Sequence, residues 1–290
     1  MIKYNPKNWF KLIFALHKSD TIRILWKELI YIGVFTSIIT FLIVTYGGEI
    51  IESLEKLITL YSLIGFVISL LLVFRTNTAY DRWWEGRKKW GALVNDTRNL
   101  AIKIETSVNL PESRDVLRRM IANFPFAMKE HLREQRKLEL LELTDEERLL
   151  LTERQHIPIA IAQKITEETK SLRAKGCLSE EDYLTIDKNI NALLDSLGAC
   201  ERIKNTPIPF SYSLFIKKFI FIYVTTIPLA FITVFGYYSV LIALFVFYVL
   251  VSMEVLAEEI EDPFGMDDND LPTDELSDKI RANVNEIFGR

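Results

Sequence analysis

Apolar and charged residues lie in separate blocks along this chain rather than intermixed. An uncharged run of 20 residues, Leu29 to Gly48, leads into an acidic stretch at Glu49, Glu52 and Glu55, and a second uncharged run covers Leu57 to Phe74. As a helix the first run is about 30 Å long, enough to cross a bilayer. From Arg75 to Lys218 the chain turns charged, and Leu, Ile and Ala recur at three- and four-residue spacing through 114–141, 146–172 and 180–197. That is the period of amphipathic helices packed on one another. Pro111, Thr144 with Glu147, Pro158 and Gly176 mark the expected breaks. Phe219 to Met253 is a further uncharged block of 35 residues. A single helix of that length would be about 52 Å long, so Gly236, Tyr237 and Tyr238 are predicted to divide it into a hairpin, its tyrosines at an interface.

Four spans place both termini on one side of a membrane; three would leave the acidic tail on the other. Lysines and arginines before Leu29, after Phe74 and at Lys217 and Lys218 share one side, and the loop near Glu49 is net negative. The positive-inside bias makes that side the cytoplasm, in the inner or plasma membrane. The predicted fold class is an all-α membrane protein with four transmembrane helices and a cytosolic helical domain. Its expected order is a cytosolic, amphipathic segment (1–28), membrane helices 1 and 2 (29–74), the cytosolic domain (75–218), membrane helices 3 and 4 (219–257) and an acidic cytosolic segment (258–290).

The stretch Phe74 to Trp84, F-R-T-N-T-A-Y-D-R-W-W, reads as a helix leaving a bilayer: apolar span, basic stop, then aromatic residues. Lys88, Lys89 and Trp90 continue it past Gly86 and Gly91, as one long helix running from bilayer to water. In steps of four, one face of the second span reads Ser62, Phe66, Leu70, Phe74, Thr78. Such a stripe is either a lipid-facing or packing surface, or the lining of a pore in which symmetric copies stack apolar rings into a dewettable constriction.

Three strings resemble the bacterial branch of the bestrophin family, in the right order and position relative to the spans. They are Arg75-Thr76-Asn77 with Tyr80-Asp81-Arg82-Trp83-Trp84-Glu85, then Arg202 to Phe210 (R-I-K-N-T-P-I-P-F), and Asp262-Pro263-Phe264-Gly265 followed by Asp267, Asp268 and Asp270. The resemblance covers nearly the whole chain. It implies a homopentameric channel conducting monovalent ions through a central pore, with Phe66, Leu70 and Phe74 as the neck and Thr206 or Ile208 at a cytosolic aperture. It further implies a calcium clasp with side-chain ligands Asp267 and Asp270 and carbonyls near Glu259 and Asp262. Met266 and Asn269 depart from that acidic pattern, and the alternative is a solvated tail. Chloride follows from the family at large, and sodium or other monovalent cations from members of its bacterial branch. Arg75 and Arg82 would favour anions if they faced the pore, whereas Asp81 and Glu85 point the other way.

Other chemistry is sparse. A net charge of −4 argues against nucleic acid as a partner. Cys177 and Cys200 form no C-x-x-C and read as reduced structural thiols. His17, His131 and His156 have no metal-ligand spacing, so neither a histidine metal site nor catalysis is expected. A transporter would show inverted halves and broken helices, of which Pro228 is the sole hint. A membrane-anchored helical scaffold without conductance is the competing reading from another class.

Overall fold

The computed structural model describes residues 21–48 and 56–290. The basic N-terminal stretch from Lys3 to Lys18 and the acidic loop at Glu49, Glu52 and Glu55 lie outside the described residues. Among those described, all regular structure is helical: α1 (Thr21–Tyr46), α2 (Leu57–Ser107), α3 (Pro111–Leu132), a 3₁₀ turn (Leu138–Leu140), α4 (Asp145–Thr152), α5 (Ile157–Ala174), α6 (Glu180–Asn205), α7 (Phe210–Phe235), a second 3₁₀ turn (Gly236–Tyr238), α8 (Ser239–Glu261) and α9 (Thr273–Ile287).

The chain forms two compact units. The apolar unit holds α1, α2 as far as Asp81, and Ile208–Glu261; the polar unit holds Arg82–Pro207 and Asp262–Arg290. Among the described residues, three stretches are long and apolar enough to cross a membrane: Thr21–Tyr46, Leu57–Ser107 and Phe210–Glu261. The last is not one rod. Gly236, with φ of 53°, ends α7, and the 3₁₀ turn reverses the chain. Lys217 near the start of α7 meets Glu258 near the end of α8 at 2.5 Å, which only an antiparallel hairpin permits. Pro228 is buried inside α7 without breaking it.

The apolar unit packs Ile32, Ile68, Leu72, Ile220, Val224, Ala243 and Phe247 into its core. It leaves Ile30, Val34, Phe35, Ile38, Phe41, Leu63 and Phe66 facing outward. Large apolar side chains on that scale belong against lipid or another chain.

In the polar unit α3 is the central rod, with Leu117, Ile121, Phe124 and Met128 in the core. Its buried cations are each paired. Arg118 donates to Glu142 at 3.0 Å, Arg119 reaches Asp115 and Glu147, and Lys129 meets Asp274 at 2.7 Å. Removing one member of such a pair strands the other.

The sequence period was too generous at one place. The run 114–141 is helical only to Leu132, where Glu134 takes a positive φ of 56°. The run 146–172 is two helices parted at the expected break: the Thr144–Glu147 capping box opens α4, and α5 carries Pro158 in its first turn. The first membrane-length helix is described from Thr21, ahead of Leu29, and so carries Arg23, Lys27 and Glu28. The acidic tail also differs from a solvated one. It ends in α9, which packs on α3 and buries Ile280 and Val284.

Candidate functional site

The four-residue stripe lies on α2 with its side chains turned away from the unit that carries it. Phe66, Leu70 and Phe74 are 66%, 43% and 56% exposed, and Ser62 and Thr78 are exposed too. The opposite face, Tyr61, Ile68, Leu72, Arg75 and Ala79, is buried. The hydroxyls beside the stripe turn back onto their own helix: Ser62 donates to Ile58 O at 3.0 Å, Ser69 to Gly65 O at 2.8 Å and Thr78 to Phe74 O at 2.9 Å. Their hydrogens are satisfied internally, so what they present outward is acceptor oxygen.

Arg75 does not join this face. It is 1% exposed and pairs with Glu261 at 2.6 Å and Glu254 at 3.6 Å, both on α8. Its charge is neutralised inside the apolar unit, so Arg75 does not point outward with the stripe. Asp81 is exposed on the stripe side of α2, as is Lys88 seven residues on.

Thr206 and Ile208 are held in different ways. Thr206 caps the C-terminus of α6; its hydroxyl donates to Arg202 O at 2.6 Å, and its side chain is exposed. Arg82 donates to the carbonyls of Ile203 and Thr206, satisfying acceptors that a helix end leaves open and placing a cation at its negative pole. Ile208 is half-buried, and its N–H donates to Glu261 Oε1 at 2.6 Å.

The acidic loop winds around Asp270. This carboxylate is 2% exposed. One oxygen accepts the Asp267 N–H at 2.6 Å, while the other is buried without a hydrogen-bond partner. Burial pushes its pKa up to about 7, against the Asp267 N–H, and the nearby charges of Asp267 and Asp262 push the same way. Asp267 and Asp270 border one cleft of about 240 Å³. A buried orphan carboxylate oxygen beside further carboxylates fits a hard cation. Glu259 belongs to the apolar unit.

The three strings that carried the resemblance meet on one stretch of α2. The Trp83 indole N–H donates to Asn269 O at 3.0 Å, Glu85 pairs with Arg202, and a Cβ on Gly86 would lie 3.1 Å from the Phe264 ring. Trp83 therefore takes part in the polar unit's packing.

The sequence model described as Bacterial/Fungal Bestrophin protein matches residues 1–286. The chain belongs to the bestrophin family. A bacterial bestrophin homologue from Klebsiella pneumoniae of known structure is 29% identical, with a TM-score of 0.79 over 92% of this chain and 99% of that one. A voltage-dependent anion channel-forming protein of Nostoc sp. is 36% identical over 97% of this chain and 92% of its own length. One of Escherichia coli K12 is 30% identical over 98% and 93%.

Against this bestrophin background, sequence reasoning missed the packing roles of Arg82, weighed only as part of a matching string and as a charge at the mouth, and of Gly86, read only as a non-breaking glycine. A glycine inside an uninterrupted helix was the available signal, because it costs helix stability unless something packs against it. It also missed a convergence of His131, His156 and Glu201, whose ligand atoms all lie within 4.8 Å of one another. These residues come from three different helices or helix ends, so no spacing along the chain could reveal them.

Proposed function

We propose that this bestrophin is an anion channel that assembles as a homopentamer in the cell membrane, with its N- and C-termini cytoplasmic and four helices crossing the bilayer. The reading rests on one observation above others. The stripe Phe66, Leu70, Phe74 is left uncovered in the single chain and flanked by hydroxyls, as rings around a symmetric axis would require. Five copies would stack the rings into a hydrophobic neck that passes partly dehydrated ions. Thr206 or Ile208 would form the aperture. Anion preference comes from the names of the Nostoc and Escherichia coli relatives.

A second selectivity reading has its own support. Arg75 is buried in ion pairs while Asp81 is exposed on the stripe side, an arrangement that favours monovalent cations at the mouth. The loop at Asp267 and Asp270 is a candidate calcium site on the strength of the unpartnered Asp270 oxygen, with Asp262 close enough to raise the Asp270 pKa.

Purified protein reconstituted in planar bilayers under a salt gradient separates these readings. Reversal near the chloride potential is expected, reversal near the sodium potential selects the cation reading, and absence of current leaves a scaffold. Phe66, Leu70 and Phe74 changed together to alanine should raise single-channel conductance several-fold by widening the neck. Unchanged conductance in that variant would place the stripe against lipid or protein.

A further inference from the structure

We infer that His131, His156 and Glu201 form a divalent transition-metal site, suited to Zn²⁺, that ties three helices of the polar unit together. The inference is independent of the channel reading, since it concerns binding and not current.

The site is assembled from separate elements. His131 is the penultimate residue of α3, His156 is the N-cap of α5, and Glu201 sits in the last turns of α6. Both imidazoles aim Nε2 at the same atom, Glu201 Oε1, each at 2.7 Å. Their rings lie 4.0 Å apart between centroids. One histidine would suffice to satisfy a half-exposed carboxylate oxygen, which water can also solvate. Two converging on one point make a donor set of two imidazole nitrogens and one carboxylate oxygen. That set matches borderline metals such as Zn²⁺ and not Ca²⁺, which takes oxygen alone.

The side chains are 32%, 30% and 27% exposed. Solvent therefore reaches the cluster, giving a metal an entry path and a water as fourth ligand. The geometry needs only a small expansion. Tetrahedral ligands at about 2.0–2.1 Å from the ion stand roughly 3.3 Å apart, against the 2.7 Å of the hydrogen-bonded contacts. One cost is visible. The Ile159 N–H donates to His156 Nδ1 at 3.4 Å, which puts the ring hydrogen on Nε2. A metal at Nε2 would move that hydrogen to Nδ1 and break the contact. At 3.4 Å the contact is long and weak, so metal ligation outweighs it.

The test uses the full chain in detergent, stripped with a chelator, then dialysed against Zn²⁺ and assayed for bound metal. His156→Asn keeps a good helix N-cap while removing the imidazole, and His131→Gln and Glu201→Gln keep polarity and size, so all three should fold. One Zn²⁺ per chain is expected in the parent protein, with affinity at least tenfold weaker in each variant. Co²⁺ should give the visible absorption of a tetrahedral nitrogen and oxygen site, lost in His156→Asn. Zn²⁺ uptake that all three variants retain overturns the assignment. So does uptake lost in Glu201→Gln but kept in both histidine variants, because the ligands would then be carboxylates elsewhere. A parent protein that takes up no more Zn²⁺ than the detergent blank overturns it as well.

Discussion

Gly86 shows how much one missing side chain decides. An added Cβ would stand 3.1 Å from the Phe264 ring and 3.3 Å from Leu271, so that these side chains would have to give by a few tenths of an ångström. Alanine would gain up to about 1 kcal/mol of helix propensity over glycine, yet overpacking a filled core costs roughly 1–3 kcal/mol. Gly86→Ala should therefore be neutral to mildly destabilising, and Gly86→Val clearly destabilising, as a lower unfolding temperature of the solubilised protein. Gly91 is the control five residues on. There a Cβ would meet only Arg87 Nη1 at 3.4 Å, the end of a flexible chain, so Gly91→Ala should raise the midpoint slightly. The contrast was not legible in the sequence, where both were glycines in an uninterrupted helical pattern. What separates them is Phe264, 178 positions further along the chain. The stripe at Phe66, Leu70 and Phe74 was legible, because a four-residue period is local and a helix converts it directly into a face.

Among the elements, α9 departs furthest from its sequence reading as an acidic tail. Its charges obscured an apolar edge, Ile280 and Val284, that seats on α3. Its first turn is clamped by Asp274, which takes Arg133 at 2.8 Å and Lys129 at 2.7 Å. Burial opposes ionisation there, but hydrogen bonds from Arg133 and then Lys129 win and hold the Asp274 carboxyl down at about 2. Its folded pKa lies below the unfolded value, so the folded protein binds fewer protons and the clamp stabilises at neutral pH. That contribution is complete above about pH 4, the ordinary aspartate value, and is lost as pH falls towards about 2. The carboxylate is largely exposed, so solvent screening keeps the effect modest. Amide hydrogen exchange in α9 should quicken between those pH values more than in α5. Asp274→Asn should show the faster α9 exchange already at neutral pH, and equal rates in the two proteins would deny Asp274 the clamp. The hairpin of α7 and α8, by contrast, was readable from length alone, since 35 uncharged residues exceed any bilayer and Gly236 offers the one backbone able to turn.

For the whole molecule, the question is what covers the outward apolar surface of the apolar unit, and lipid and sister chains answer it differently. A stripe facing lipid would be inaccessible to water-soluble reagents, whereas one lining a pore would meet them whenever ions pass. The chain's own cysteines allow this to be measured. Cys200 is fully buried and its thiol is pushed up to about 12, first by burial, so almost none of it is the reactive thiolate at neutral pH. Cys177 is half-buried and is removed by Cys177→Ser. In that background Leu70→Cys places one thiol per chain in the middle of the stripe. A charged, water-soluble thiol reagent should then cut the current at least tenfold, because every copy would place a modified side chain in the same ring. Ser69→Cys supplies the comparison, one residue away around the helix, and should be affected less. Native mass spectrometry of the same preparation should give a mass of five chains. Full current after modification at Leu70→Cys, or a monomeric or dimeric mass, would remove the shared axis on which the neck depends. Block at Leu70→Cys with a five-chain mass would fix Phe66, Leu70 and Phe74 as neighbours around one axis, an arrangement the sequence supplies in period but not in partner.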